Sequence, residues 1–179
     1  TLSEPRREVV KLPGNSPSLA LVSTPAMGFA VIDASSSQPS TEHVTLKVSN
    51  RKFVLENSKL RCVLNADGTL QSLLDKRRDR QALSGPGNQF TMFADEPYCY
   101  DAWNVEPYHM EKPVPIDAPV RAKIVENHPL RVAVKFEREL SKTSHVSFVV
   151  SLDAISSRVD FAAHVQWHES HKLLKVEFP

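Results

Sequence analysis

The sequence predicts an all-β protein in which a small N-terminal β unit precedes a large antiparallel β-sandwich. Short segments alternate apolar and polar residues at period two, which places successive side chains on opposite faces of a strand. Clusters of proline, glycine, asparagine and serine separate these segments. No segment carries the apolar i, i+3, i+4, i+7 pattern with caps that is typical of a helix. We expect at most one or two helical turns, near Asp79 to Leu83.

The composition argues against several classes of protein. The chain has 179 residues, with 22 basic and 21 acidic side chains and a net charge of +1, so we expect neither a nucleic-acid partner nor a membrane surface. Asp79 interrupts the basic run from Lys76 to Arg80, which favours a solvated turn over a phosphate-binding patch. Cys62 and Cys99 allow one disulfide, but so low a count fits a reducing compartment at least as well.

The N-terminal unit is predicted from short strands separated by turn-forming residues. Glu8 to Leu12 and Ser18 to Thr24 are apolar runs on either side of the turn from Pro13 to Pro17. Gly28 to Ile32 has the pattern of a third strand. Ser35 to Thr41 is small and polar throughout, which is the composition of a flexible connector.

A boundary near residue 43 divides the chain into two predicted domains. Residues 1–43 form a small β-sandwich-type unit with its linker, and residues 44–179 form the first part of the large sandwich. In the second domain, Asn65 to Gly68 predicts a hairpin turn, since Asp and Gly tolerate the positive φ of such turns. We therefore expect the strand from Leu60 to Leu64 to pair antiparallel with that from Thr69 to Leu74.

Three later strands repeat the same alternation over a longer span, with polar residues such as His164 on the opposite faces. The final segment, Leu173 to Phe178, also has the pattern of a strand, and we expect the sandwich to be truncated there. The apolar faces of the three long strands consist, in turn, of Val132, Val134 and Phe136; of Val146, Phe148, Val150 and Leu152; and of Val159, Phe161, Ala163, Val165 and Trp167.

The stretch from Gly87 to Tyr108 is the strongest candidate for a ligand site. It contains all three tyrosines and one of the two tryptophans of the chain, interleaved with carboxylates. Flat aromatic faces next to hydrogen-bond acceptors are the combination that a carbohydrate site needs. Alternatively, aromatic residues beside Pro97 and Pro107 pin a long loop onto the edge of the sandwich. The residues concerned are Tyr98, Tyr100, Trp103 and Tyr108, with Asp95, Glu96, Asp101 and Glu106.

Other candidate chemistry is weaker. The sequence has no glycine-rich phosphate loop, no nucleophile elbow and no HExxH or CxxC motif. Candidate zinc ligands are His164, His168 and His171. On a strand, however, the first two lie roughly 13 Å apart, which is too far for a shared zinc ion. A pair of carboxyl groups for glycoside hydrolysis is a further alternative. Its candidates are Asp95, Asp101 and Glu106.

Four ordered motifs resemble one enzyme family. The segments LRCVLNADGTLQSLLDK, GNQFTMFADEP, YDAWNVEPYH and VDFAAHVQWHESHKLLKVEFP closely resemble, in order and spacing, the C-terminal β region of the α-mannosidases of glycoside hydrolase family thirty-eight. The resemblance is closest to the cytosolic and bacterial branch, and LVSTPAMGFAVI resembles the small β domain that precedes the sandwich. Asn104 stands where that branch typically has an acidic residue.

The resemblance implies a parent enzyme that removes terminal α-linked mannose from oligosaccharides, with retention and with zinc as cofactor. It also implies that the catalytic carboxylates and the zinc ligands belong to an N-terminal domain whose motifs have no counterpart here, so we assign no catalytic residue and no metal ligand to this chain. The sandwich resembles the galactose-mutarotase type. By the same resemblance, the candidate substrate contacts are Tyr98, Tyr100, Asp101 and Trp103.

Two functions follow as expectations. In the first, the chain is a non-catalytic fragment of a cytoplasmic α-mannosidase, and meets mannose-containing oligosaccharides together with the missing catalytic domain. In the second, it is an autonomous carbohydrate-binding or scaffolding β-sandwich module. The sequence leaves assembly into a homo-oligomer open.

Overall fold

The computed structural model describes residues 3–13, 18–32, 41–101 and 103–179, and it confirms the all-β class. Helix within these ranges is confined to one 3-10 helix, Pro107–Glu111, which is not long and apolar enough to cross a membrane. The expectation of very little helix is confirmed, although no helical turn forms near Asp79 to Leu83. Asp79 adopts a φ of 47°, which reverses the chain and lets Arg80 pair with Asp75 as a short strand.

The strands form four antiparallel sheets among the described residues. In sheet order, these are β1-β2, β3-β4-β5-β6-β7, β10-β11-β12-β13 and β14-β8-β9. The strands are β1 (Arg6–Leu12), β2 (Ser18–Thr24), β3 (Thr45–Ser49), β4 (Lys52–Glu56), β5 (Leu60–Leu64), β6 (Leu70–Asp75), β7 (Arg80–Gln81), β8 (Gln89–Ala94), β9 (Pro113–Val114), β10 (Val120–His128), β11 (Arg131–Glu139), β12 (His145–Asp153), β13 (Val159–Gln166) and β14 (Lys172–Glu177).

The N-terminal hairpin of β1 and β2 confirms the first two predicted strands. Val9 and Leu19 join the core of the sandwich, whereas Leu12 belongs to a smaller apolar cluster within the hairpin. Arg131 ties the hairpin to β11, because its guanidinium donates to the Val9 carbonyl at 3.2 Å while pairing with Asp153 at 2.5 Å. The hairpin is therefore packed against the sandwich.

The predicted strand from Gly28 to Ile32 is wrong. A turn at residues 26 and 27 precedes it, and the following backbone has no ladder partner within the described ranges. Phe29 is 83% exposed and Val31 is 87% exposed. An alternating apolar segment becomes a strand only when another strand is available to satisfy its backbone groups. Positions 14–17 of the predicted turn at 13–17 and positions 35–40 of the predicted connector at 35–41 lie outside the described residues. The boundary near residue 43 stays a prediction.

Two large sheets pack face to face and enclose the main core, which agrees with the predicted sandwich. Phe53 of β4 meets Phe136 of β11 edge to face at 5.8 Å, and Phe136 stacks on Phe148 of β12 at 5.2 Å between ring centres. The inward faces of β11 and β12 are those predicted. Their side chains are at most 2% exposed, namely Val132, Val134, Phe136, Val146, Phe148, Val150 and Leu152.

The predicted turn between β5 and β6 is confirmed and places a glycine directly on that core. Gly68 has a φ of +81°, and its amide donates to the Asn65 carbonyl at 3.0 Å. A Cβ atom at this position would lie 2.5 Å from Cζ of Phe148. Glycine is required here for two reasons. A residue with an L side chain does not favour this φ, and its Cβ atom would not fit against the ring.

The third sheet brings two distant parts of the chain together at one edge. β14 pairs with β8 so that Lys172 lies opposite Ala94, and β9 pairs with the other side of β8. Phe90 of β8 contacts Phe148 at 5.3 Å between ring centres, which joins this sheet to the core. The carboxyl end of β8 and the amino end of β14 therefore lie side by side.

The inward face predicted for β13 is only partly buried. Phe161 and Trp167 pack against the core as half-buried side chains, but Ala163 is exposed and Val165 is 41% exposed. β13 is the last strand of its sheet within the described residues, so no further strand covers this end. His164 on the opposite face is exposed, as predicted.

Candidate functional site

The aromatic loop, defined here as residues 95–106, connects β8 to the 3-10 helix. At its start, the Asp95 amide donates to the His171 carbonyl at 2.8 Å, which extends the pairing of β8 with β14. At its end, the Glu106 carbonyl accepts the His109 amide at 3.1 Å and lies 2.6 Å from Nδ1 of the same residue. Both ends of the loop are thus fixed to ordered elements.

The tip of the loop is a tight turn centred on an aromatic residue in an uncommon conformation. Tyr100 has a φ of 56°, in the left-handed region that few residues other than glycine adopt. Its carbonyl accepts the amides of Trp103 at 2.9 Å and Asn104 at 3.0 Å. Such a conformation persists where the surrounding hydrogen bonds determine it, and is common at ligand sites.

The three aromatic side chains predicted to contact substrate all point into solvent. Tyr98 is 92% exposed, Trp103 is 86% exposed and Tyr100 is 76% exposed. These three side chains therefore do not pin the loop onto the sandwich, whereas Tyr108, the fourth aromatic residue of that alternative, is consistent with it. The loop is instead attached through its backbone and through Tyr108, whose hydroxyl donates to the Glu96 carbonyl at 2.7 Å.

The fourth predicted contact residue, Asp101, lies beside His171. Its Oδ2 is 3.9 Å from Nδ1 of the imidazole, and both side chains are more than half exposed. The pair becomes an ion pair when the imidazole is protonated. An exposed pair of this kind contributes little to stability, but it orients two polar groups next to the aromatic tip.

A salt bridge links the beginning of the loop to the residue that follows the 3-10 helix. Glu96 lies 2.9 Å from Nζ of Lys112, just beyond the 3-10 helix. The hydrogen bond and charge of Lys112 lower the pKa of Glu96, and Glu96 in turn raises the pKa of Lys112. Because both groups are largely exposed, the pair positions the chain more than it stabilises it.

The histidine and cysteine candidates of the sequence form no cluster suited to a metal ion and no disulfide among the described residues. No group of three or more His, Cys, Asp or Glu side chains within the described ranges could hold a metal ion. His164 lies on β13, whereas His168 and His171 lie after it. Cys62 is buried and Cys99 is exposed, and both are free thiols. Burial raises the pKa of the Cys62 thiol to about 12.

A cluster around Glu169 is an important feature that the sequence did not reveal. Its carboxylate is 6% exposed and accepts hydrogen bonds from four side chains. The distances are 2.8 Å from Oγ of Ser144 and 3.1 Å from Oγ1 of Thr143, with Lys172 and Ser141 as the closest donors. Hydrogen bonds from Lys172, Ser141 and Ser144 hold the pKa of Glu169 at about 2.

His109 is a second buried polar residue that no motif marked. It is 5% exposed, its ring meets Phe93 edge to face at 5.2 Å, and its Nε2 atom has no hydrogen-bond partner. With Nδ1 bonded to the Glu106 carbonyl, the ring fixes the helix that ends the aromatic loop. Only the tertiary fold brings these groups together, so alternation in the sequence could not have identified them.

A cavity of about 730 Å³ lies between the N-terminal hairpin and the sandwich. Its polar lining includes Arg6, Arg7 and Lys59. These cations already have partners: Arg6 lies 3.4 Å from Glu8, Arg7 lies 3.0 Å from Glu42, and Lys59 donates to the Ile155 carbonyl at 2.5 Å. The aromatic loop remains the stronger candidate site.

Comparison with known proteins finds a matching family model and similar sequences. Residues 55–179 match the model described as the glycosyl hydrolases family 38 C-terminal domain. The chain is 38% identical to "Alpha-mannosidase 2C1" of Homo sapiens over 189 aligned positions, covering 100% of the chain and 18% of that protein. It is 30% identical to "Alpha-mannosidase G" of Dictyostelium discoideum, covering 88% of the chain and 16% of that protein.

A solved structure supports the fold. The crystal structure of an α-mannosidase from Enterococcus faecalis V583 superposes with a TM-score of 0.58 at 12% identity, covering 100% of this chain and 24% of that one. At this identity the likeness concerns the fold alone. The chain spans less than a fifth of the length of the two curated relatives described above, 18% and 16% respectively.

Proposed function

Because this chain belongs to the glycosyl hydrolases family 38 C-terminal domain family, we propose that it is the non-catalytic β portion of a cytoplasmic α-mannosidase. The whole enzyme removes terminal α-linked mannose from oligosaccharides with retention of configuration. In this proposal, zinc and the catalytic carboxylates are held by an N-terminal catalytic domain outside this chain.

The exposed tip of the aromatic loop is the observation that carries the proposal. Three large aromatic side chains project from a turn whose backbone is fixed at both ends. Exposing so much apolar surface on an ordered loop is unfavourable unless a partner covers it. A pyranose ring is suitable, because its C–H face stacks on an aromatic ring while its hydroxyl groups bind nearby acceptors.

Each residue of the tip has a specific role in this proposal. Tyr98, Tyr100 and Trp103 supply stacking faces at the rim of the mannose site, and Asp101 accepts a hydrogen bond from a sugar hydroxyl. His171, beside Asp101, orients that carboxylate. None of these residues transfers a proton or forms a covalent bond. They contribute to binding and orientation.

Kinetics of the whole enzyme test this role. We expect Tyr100→Ala and Trp103→Ala each to lower kcat/KM for an oligomannoside by about 10-fold or more, because a lost stacking face weakens binding of the transition state. Phe29→Ala is the matched control, since Phe29 is an equally exposed aromatic outside the loop. Normal kcat/KM in both loop variants would contradict the substrate contact.

The alternative function, an autonomous carbohydrate-binding or scaffolding module, rests on the same exposed rings. It predicts that the chain alone binds mannose oligosaccharides, whereas a rim contact requires the remainder of the enzyme. Titration of the isolated chain with oligomannoside, followed through tryptophan fluorescence, distinguishes the two. The isolated chain should also release no nitrophenol from p-nitrophenyl α-mannoside, and zinc-dependent release would overturn the assignment as non-catalytic.

A further inference from the structure

The Glu169 cluster joins two parts of the chain that lack regular pairing. Residues 167–171 connect β13 to β14 without forming a strand. The turn between β11 and β12 lies against them, and its hydroxyl groups from residues 141, 143 and 144 all reach Oε1 of Glu169. Ser144, which is fully buried, also accepts the His168 amide at 2.8 Å. The connecting segment is therefore anchored by side chains.

The same segment ends at the residue that contacts the aromatic loop twice. His171 has a φ of 49°, so the chain turns sharply there before it enters β14. Its carbonyl accepts the Asp95 amide, and its imidazole lies beside Asp101. Left-handed residues thus occur on both sides of this contact, at His171 and at Tyr100. Such conformations are maintained by neighbouring contacts.

We propose that Glu169 is a positioning residue for the aromatic loop. Its carboxylate fixes the segment between β13 and β14, and that segment presents His171 to Asp95 and Asp101. The ladder between β8 and β14 holds the loop only at its first residue, because the pairing ends at Ala94 and Lys172. The cluster determines where the His171 side chain lies, and hence the orientation of the loop tip.

Hydrogen exchange of the full-length protein tests this proposal. In Glu169→Gln, we expect amide exchange across residues 95–104 to rise by about 10-fold, while exchange across β11 and β12 stays unchanged, because local opening is independent of global unfolding. Glu137→Gln is the matched control. Glu137 also pairs with a lysine, at 2.6 Å, but it lies on β11 and outside the Glu169 cluster.

The exchange experiment can support or overturn the positioning role of Glu169. Unchanged exchange in the loop, or an increase of similar size throughout the sandwich, would overturn the positioning role. Should Glu169→Gln fail to fold, Lys172→Gln and Thr143→Val are judged by the same criterion, since each removes one donor and leaves the carboxylate with others.

Activity measurements depend on the proposed function as well, so their results are interpreted separately from those of hydrogen exchange. If the loop contacts substrate, Glu169→Gln should raise KM for an oligomannoside by about 10-fold with a smaller change in kcat, the pattern of lost binding that the ground state and the transition state share. Faster exchange in the loop with unchanged KM would support the positioning role and argue against the substrate contact. The two proposals can therefore fail independently.

Discussion

β12 and β13 are neighbours in one sheet with nearly the same alternation in sequence, yet their apolar faces differ in burial. Val146, Phe148, Val150 and Leu152 of β12 are at most 2% exposed. Opposite them on β13, Val165 and Ala163 are exposed and Phe161 is half buried. Alternation thus indicates which side chains share a face, whereas the position of the strand in the sheet decides whether that face is covered.

The largest expected effect comes from truncating a ring on the covered face. Phe148→Ala should destabilise the fold by about 3–5 kcal/mol, because it removes buried area and leaves a cavity beside its two aromatic neighbours, Phe90 and Phe136. Phe161→Ala, on β13, should cost less than half as much. Denaturant unfolding of both variants measures the difference. Equal losses would mean that the outer end of β13 is as well packed as β12.

The second prediction concerns a substitution that adds a Cβ atom against the covered face of β12. Gly68→Ala should cost about 2–3 kcal/mol, because it combines a positive φ with a Cβ atom 2.5 Å from Phe148. Gly85→Ala is the matched control, since its Cβ would lie at an ordinary 3.4 Å from Pro179. A thermal melt in which both variants match the parent would show that the turn can move away from the ring.

The third prediction concerns the Glu169 cluster, which bridges the turn before β12 and the segment after β13. Hydrogen bonds from Lys172, Ser141 and Ser144 lower the pKa of Glu169 from 4.5 to about 2. A depressed carboxylate pKa stabilises the fold above pH 4.5, and this contribution is lost as the pH falls towards 2. Melting temperatures should therefore fall across this interval, and less steeply in Glu169→Gln. Parallel curves for the two proteins would contradict the assignment.

The smallest effects are expected on the outer end of β13. Val165→Ala and His164→Ala should each change the free energy of unfolding by less than about 0.5 kcal/mol, since neither side chain is enclosed. A loss above 1 kcal/mol for Val165→Ala would show that this face is covered in solution and would remove the contrast with β12.

Much of the sandwich could be predicted from local sequence. The faces of β11 and β12 and the turn at Gly68 follow from alternation and from the residues that tolerate positive φ. The strand expected at Gly28 to Ile32 was wrong because alternation does not show whether a partner strand exists. The same reason explains why Trp167, expected on the covered face, is only half buried.

The candidate site could be predicted only in part. Clustering of aromatic residues indicated the loop, because these residues lie close together in the sequence. Its supports are not local: Asp101 and His171 are 70 positions apart in the chain, and Ser141 and Glu169 are 28 apart. Polar contacts between irregular segments leave no periodic pattern, so only the three-dimensional structure reveals them.

The contrast between the two cysteines gives the molecule a natural labelling position. The reactive form of cysteine is the thiolate, which a thiol with a pKa of about 12 in a fully buried site does not supply at neutral pH. Cys99 is exposed between Tyr98 and Tyr100. A maleimide dye added to the folded chain should therefore attach at the loop tip alone. Its emission would report on whatever approaches the three aromatic rings, without any change to the sequence.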